Sequence, residues 1–307
     1  MPPTHLWLNG EIVPWPSATI HITDARSLTT VSSVYEGIRG YWNAEQRQLY
    51  VVRLPEHMRR FAGSMKVMRM QPAYSPADLV AATVELLRHL DLHEDTYIRP
   101  VATFLPRDDS WSGPDPTHLE IQIATASRPS SLGQERKLNV GISSWRRIED
   151  NSMPPRVKAN ANYLSSRLVS AQAALDGYDG AIILNSDGSV AEGPWACVFA
   201  ARDGRLITPS VTSNILESIT RQTVIQVARE VLGVEVQERA VDRTELYLAD
   251  ELFFCGTGQE LQPIVSVDRY TVGDGDVGPL TARLRGLYRD IVHGREPRYE
   301  EWLTPVY

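Results

Sequence analysis

The chain has 307 residues, 42% of them apolar and 22% charged, with a net charge of −7. That length exceeds one small core, so two domains of ordinary soluble globular composition are expected, and the acidic balance argues against nucleic acid or an anionic membrane as the main partner. Two cysteines, Cys197 and Cys255, are too few for a disulfide framework and suit a reducing cytoplasm; no apolar run reaches membrane length, and Met1 to His5 lacks a signal-peptide pattern.

The elements follow in chain order. Leu6 to Val13 reads as a hairpin turning at Asn9-Gly10. Ile38 to Tyr41 and Leu49 to Arg53 read as a strand pair. Ser75 is placed to cap a helix with Pro76 at its first position, running to about Leu90. Tyr97 to Phe104 and Leu119 to Thr125 read as strands, and the polar, turn-rich stretch that follows reads as a linker. The expected division is therefore 1–126, a linker at 127–134, and 135–307. Beyond it, Leu138 to Ser144 is a strand, and Ala181 to Leu184 and Ser189 to Glu192 flank a turn at Asp187-Gly188. Val198 to Ala200 and Arg205 to Ile207 flank another at Asp203-Gly204. A helix from Ile219 to Leu232 stops at Gly233, and Glu251 to Phe254 is a buried strand entering Cys255-Gly256-Thr257-Gly258. Strands and helices mix without regular alternation, so the expected class is α+β.

Four places could carry chemistry. Pro154 and Pro155 forbid a helix before Lys158, while Leu164, Leu168, Ala171 and Leu175 recur at helical spacing after it and read as a buried face. Lys158 thus stands at the mouth of a helix, where a partly shielded lysine can act as a neutral nucleophile. Leu216 to Arg221 opens a helix whose free N–H groups suit a phosphate. The Gly256-Thr257-Gly258 turn lets backbone approach a ligand closely. Glu192, at a hairpin end, could hold a protonated ring nitrogen.

In this order the elements resemble the fold-type IV pyridoxal-phosphate aminotransferases, nearest to the branched-chain amino acid aminotransferases. The motifs span nearly the whole chain: Trp7-Leu8-Asn9-Gly10-Glu11, Val34-Tyr35-Glu36-Gly37-Ile38-Arg39, Glu56-His57-Met58-Arg59-Arg60-Phe61, Tyr97-Ile98-Arg99-Pro100, Lys158 to Leu164, Glu192-Gly193, Ile215 to Arg221, Tyr247 to Glu251, and Gly256-Thr257. The resemblance implies a small α/β N-terminal domain lining the substrate and a larger mixed C-terminal domain binding pyridoxal 5'-phosphate. It implies that Lys158 carries the cofactor and shuttles the proton. Tyr163 would bond the cofactor's O3′ and Glu192 its ring nitrogen, with Arg60, Ile219, Thr220 and Thr257 on the phosphate. Tyr35, Tyr97, Arg99 and Gly258 would line the substrate pocket, Arg99 receiving a dicarboxylate's side chain through its planar fork. The substrates implied are a branched-chain L-amino acid, or a related larger or functionalised one, and 2-oxoglutarate, in a cytoplasmic homodimer or higher homo-oligomer. The same fold also serves D-amino acid and amine transaminases and lyases similar to aminodeoxychorismate lyase.

The chain departs from the family pattern at three points. Cys197 stands where the family usually has asparagine, after Glu192-Gly193-Pro194, removing an amide's hydrogen bonds behind Glu192. Thr30 occupies a position often held by a pocket tyrosine, and Gly258-Gln259 makes the nearby turn more polar. A wider or more polar pocket is the expectation. Trp111 could cap it from a loop. The seven histidines show no metal-ligand spacing, and Gly273 to Gly278 is too short for a calcium loop and reads as a hairpin turn.

Overall fold

The computed structural model describes residues 3–19, 33–105 and 116–307, which form two compact units. Thr30 and Trp111 lie outside the described residues.

The first unit is built on a sheet of β1 (His5–Leu8), β2 (Glu11–Pro14), β3 (Ser33–Tyr35), β4 (Ile38–Asn43), β5 (Gln48–Val52), β6 (Thr96–Phe104), β7 (Leu119–Ser127) and the chain's last strand, β16 (Leu303–Pro305). Their order is β16-β5-β4-β6-β7-β1-β2, with β3 also paired to β6. The first hairpin forms as the Asn-Gly pair requires: Leu6 faces Val13, and Asn9 and Gly10 take φ of 46° and 106°, which that dipeptide tolerates best. The helix Pro76–Leu90 starts where proline and its cap place it. Ser75 and Asp78 close a reciprocal capping box, satisfying donors that the first turn leaves open. This helix and Leu54–Val67 bury Leu79, Leu86, Met58, Phe61 and Met65 in one core with Ile38, Val51 and Ile98.

Two distant segments join this unit. Residues 157–161 do so because Val157 and Ala159 are buried in its core and Ala159 bridges Val34. Ile291–Tyr307 joins because β16 lies antiparallel on β5, Leu303 opposite Val52, with Val306 fully buried. A division by sequence position alone places neither. The crossing between Pro129 and Ser130 falls inside the stretch 127–134.

The second unit holds β8 (Leu138–Arg146), β9 (Gly180–Leu184), β10 (Cys197–Arg202), β11 (Arg205–Pro209), β12 (Val236–Arg239), β13 (Glu251–Gly256), β14 (Glu260–Val267) and β15 (Tyr270–Thr271). The order is β12-β11-β10-β13-β14-β8-β9, with β15 on β14. Parallel pairs (β8 with β9, β8 with β14, β11 with β12) mix with antiparallel ones, which matches the α+β expectation. The β10–β11 turn uses Asp203 and Gly204 at φ of 52° and 73°. The helix Ile219–Glu230 ends just before Gly233, itself at φ 64°.

Two expectations are corrected. The helix Tyr163–Leu175 buries Ser166, Val169 and Ala173, not the leucine face: Leu164, Leu168 and Leu175 are 63%, 42% and 88% exposed. Both sets repeat at helical spacing, and the smaller residues allow the helix close to β8 and β9, where Val169 and Ala173 pack with Ala181 and Ile183. The stretch 273–278 is a loop leading from β15 into the helix Pro279–Val292. The hairpin turn lies earlier, at Asp268 and Arg269 with φ of 49° and 68°. Among the described residues no helix is long and apolar enough to cross a membrane.

Candidate active site

In the first unit the motif Tyr35-Glu36-Gly37 leaves β3 with Glu36 fully buried. A buried carboxylate needs donors on both oxygens. Arg60 supplies two, Nε to Oε1 and Nη2 to Oε2, each at 2.7 Å, and His57 Nδ1 adds a third at 2.7 Å. His57 and Arg60 are three residues apart on the helix Leu54–Val67, so they share a face. Since a carboxylate only accepts, His57 donates from Nδ1.

Lys158 is fixed by its backbone. Its N–H donates to Ser64 Oγ at 3.1 Å, and its carbonyl accepts from the Tyr35 N–H at 3.0 Å. The Lys158 ammonium stands 4.7 Å from the centre of the Tyr35 ring, and the Arg99 guanidinium stands 5.1 Å from the same ring. Tyr97 crosses close above the backbone of Gly37, where any Cβ would collide with its hydroxyl, and Arg128 lies over its ring at 5.1 Å. The structure therefore brings Tyr35, Arg99 and Lys158 together.

The Glu36 cluster is also an acid-sensitive part of the fold. Burial raises the Glu36 pKa, but the charge and paired bonds of Arg60, with the bond from His57, overcome it and lower the pKa from 4.5 to about 2. Burial holds His57 below its ordinary 6.5, aided by Arg60 and Lys158 and opposed by Glu36. Both folded values lie below the unfolded ones, so the stability they contribute is present above those values and lost on acidification. His57 begins to withdraw it below pH 6.5, and Glu36 withdraws about 3 kcal/mol between pH 4.5 and 2. Urea midpoints should fall from pH 7 to pH 3, and Glu36→Gln should start lower at pH 7 yet change less below pH 4.5. An equal slope in both proteins would rule out this origin.

In the second unit Glu192 follows the turn after β9 and is held to that strand, its carbonyl accepting from the Ile183 N–H at 2.9 Å. Its carboxylate is buried. Arg147 Nη2 lies 2.6 Å from Oε1, and the Leu216 N–H donates to Oε2 at 3.2 Å. The Cys197 thiol lies 3.7 Å from Oε2, so the residue that replaces the family's asparagine still supplies a donor to this carboxylate. Burial and the nearby Glu192 charge push the Cys197 pKa far up, and burial raises that of Cys255, its partner across the β10–β13 ladder. Both are core thiols.

Ser218 caps the helix Ile219–Glu230 by accepting from the Arg221 N–H, leaving earlier N–H groups at this end outside the helical ladder. The Thr220 and Thr257 hydroxyls meet there at 3.4 Å. Gly256, just before Thr257, approaches the Trp195 carbonyl so closely that a Cβ would sit 3.1 Å from it. Tyr163 stacks on Trp195 at 5.3 Å and 12°, and Trp195 Nε1 donates to Ser170 at 3.0 Å. Gly258 lies in the turn closed by the Gln259 N–H on the Gly256 carbonyl at 3.1 Å. A helix start with two hydroxyls suits a phosphate, and a buried anionic carboxylate suits a protonated ring nitrogen; both fit pyridoxal phosphate.

Sequence reasoning missed four supporting residues. Glu36 and His57 lie inside the family's motifs, and the helical spacing of His57 to Arg60 is a usable signal. Asn160 also lies inside a motif, Lys158 to Leu164, whereas Arg147 belongs to no local pattern that identifies it. Asn160 Oδ1 accepts from Arg99 at 3.3 Å.

Comparison with known proteins agrees with this architecture. The family described as "Amino-transferase class IV" matches residues 33–267. A probable branched-chain-amino-acid aminotransferase of Aquifex aeolicus is 41% identical over 98% of this chain and 96% of its own length. The branched-chain-amino-acid aminotransferase of Salmonella typhimurium is 37% identical over 98% and 97%. The crystal structure of the Thermobaculum terrenum branched-chain amino acid aminotransferase in its PLP-form superposes with a TM-score of 0.96 at 48% identity, covering 100% of this chain and 99% of that one. With the motif order, both sheets and most of the length in common, the chain belongs to the class IV aminotransferases, pyridoxal-phosphate-dependent enzymes of fold type IV.

Proposed function

We propose that this chain moves the amino group of a branched-chain L-amino acid to 2-oxoglutarate, yielding glutamate and the matching 2-oxo acid. The relatives named above support the substrate class. The observation that carries the reading is the Tyr35 ring with Lys158 and Arg99 both against it. An amine for proton transfer and a planar fork for a second carboxylate share one aromatic wall, and the reaction needs both.

When bound, pyridoxal phosphate supplies the electron sink that lets a proton leave the substrate's α-carbon. Lys158 would take that proton and return it to the cofactor. Its backbone is tied to Ser64 and Tyr35, so only side-chain torsions carry the amine. Glu192, steadied by Arg147 and the Leu216 N–H, would accept from the ring N–H. Thr220, Thr257 and the Ile219 N–H would hold the phosphate, and by resemblance Arg60, its fork fixed by Glu36 and His57, would add positive charge. Tyr163, stacked on Trp195, would bond the cofactor's phenolic oxygen. By resemblance, Tyr97 would border the substrate, and so would Gly258.

The test is a donor panel: leucine, isoleucine, valine, aromatic, β- and D-amino acids and amines against 2-oxoglutarate and pyruvate. Branched L-amino acids should lead. Preference for D-amino acids or amines, or pyruvate release without an acceptor, would instead place the chain with the other activities of this fold. A homodimer completes the proposal. The exposed leucines of the helix Tyr163–Leu175 support it, since an apolar stripe of this kind favours assembly. Sedimentation should give twice the chain mass, and an active monomer at micromolar concentration would refute it.

A further inference from the structure

Arg99 is exposed, and an exposed arginine normally wanders. Here it is held at two points. Its guanidinium lies over the Tyr35 ring, and its Nη2 donates to Asn160 Oδ1 at 3.3 Å. Asn160 is itself oriented, because its Nδ2 donates to the buried Ser33 Oγ at 2.7 Å. With the amide nitrogen committed to Ser33, the amide oxygen faces Arg99. The backbone beneath is rigid: Lys158 is tied to Ser64 and Tyr35, and Ala159 is buried and bridged to Val34. Ser33, Asn160 and Arg99 form one relay from β3 to the guanidinium.

We propose that Asn160 is a specificity-determining positioning residue that presets Arg99 for the side-chain carboxylate of a dicarboxylic substrate. This rests on the reading of Arg99 as the group receiving that carboxylate. A free arginine gives up much rotamer freedom on binding, and a preset one gives up less. The choice of an amide matters. It takes one of the five guanidinium donors and leaves Arg99's charge unopposed, whereas a carboxylate at 160 would pair with Arg99 and repel the incoming anion. An aliphatic substrate does not use the fork, so the relay acts on one half-reaction only. It thereby separates recognition of glutamate and 2-oxoglutarate from recognition of the branched side chain.

The experiment uses the holoenzyme and measures KM and kcat for glutamate and leucine in separate half-reactions. Calorimetric binding of glutarate, which has two carboxylates and no amino or keto group, supplies a readout independent of turnover. Asn160→Ala should raise the KM for glutamate by about tenfold and weaken glutarate similarly, the effect of losing one bond to a charged group. Asn160→Asp should weaken both further. In each variant the leucine KM and kcat should shift no more than about twofold, because no aliphatic contact is lost. Arg99→Ala is the control. If it leaves the glutamate-to-leucine ratio unchanged, the reading of Arg99 fails and this inference with it. If Arg99→Ala changes the ratio but neither Asn160 variant does, the reading stands and the relay is wrong. Equal losses for leucine and glutamate in the Asn160 variants would make Asn160 merely structural and overturn the proposal.

Discussion

Replacing Lys158 with alanine is expected to lower transamination by about 10⁴-fold or more while the protein stays folded. The loss is large because, in the proposed role, the same amine would both hold the cofactor and carry the proton between two carbons. Folding is expected to survive because the residue is anchored through its backbone, which alanine retains: the N–H on Ser64 Oγ and the carbonyl under the Tyr35 N–H. The side chain approaches the Tyr35 ring at 4.7 Å, a contact of modest worth. Three measurements check this together. Urea unfolding should move little, borohydride should no longer fix cofactor to the chain, and single-turnover conversion with leucine should disappear. Lys158→Arg keeps the cation against Tyr35 but removes the titratable amine, so it should be as inactive as the alanine variant. Activity within tenfold of the parent in either would mean that another residue carries the proton.

What was legible in the sequence was local. Asn9-Gly10 and Asp203-Gly204 announced their turns because few other residues tolerate those backbone angles. Ser75-Pro76 announced its helix because a cap and a fixed φ act within one turn. Lys158, Glu192, Thr220 and Thr257 stand out in the sequence as an ordered set of candidates, each beside a loop or helix start whose chemistry is local. The leucine stripe after Lys158 misled for a physical reason: periodicity reports that a helix has an apolar face, and not which of two faces meets the sheet. Val169 and Ala173 won that position because small side chains let the helix lie closer to β8 and β9. The chain's end was illegible because β16 joins β5 across some 250 positions, and no local pattern encodes such a pairing. The same limit hid Arg147, which follows β8 and is separated in sequence from the glutamate it pairs with by a helix and a further strand.

Arg147 should have the second large effect. Its side chain and that of Glu192 are 7% and 8% exposed, and Nη2 lies 2.6 Å from Oε1; its Nε also donates to the Asn214 carbonyl at 2.8 Å. Removing one partner of a buried ion pair leaves the other charge without water or counter-ion, at a cost of about 3–5 kcal/mol. Arg147→Met, which keeps the apolar bulk, should therefore destabilise the cofactor-free protein by about that amount in urea unfolding. The cofactor-free form is the right reference, because bound cofactor adds its own stabilisation by mass action. The stranded glutamate can relieve its position by taking up a proton, and a protonated carboxyl no longer offers the anion that a ring N–H requires. Cofactor affinity, followed by quenching of tryptophan fluorescence, should fall with stability. Glu192→Gln in the Arg147→Met background supplies the decisive comparison. It removes the buried charge, so the double variant should be more stable than Arg147→Met alone although it lacks one more native group. If Arg147→Met unfolds at the parent's urea midpoint, the pair carries no net energy and Glu192 is held by the Leu216 N–H and its other neighbours instead.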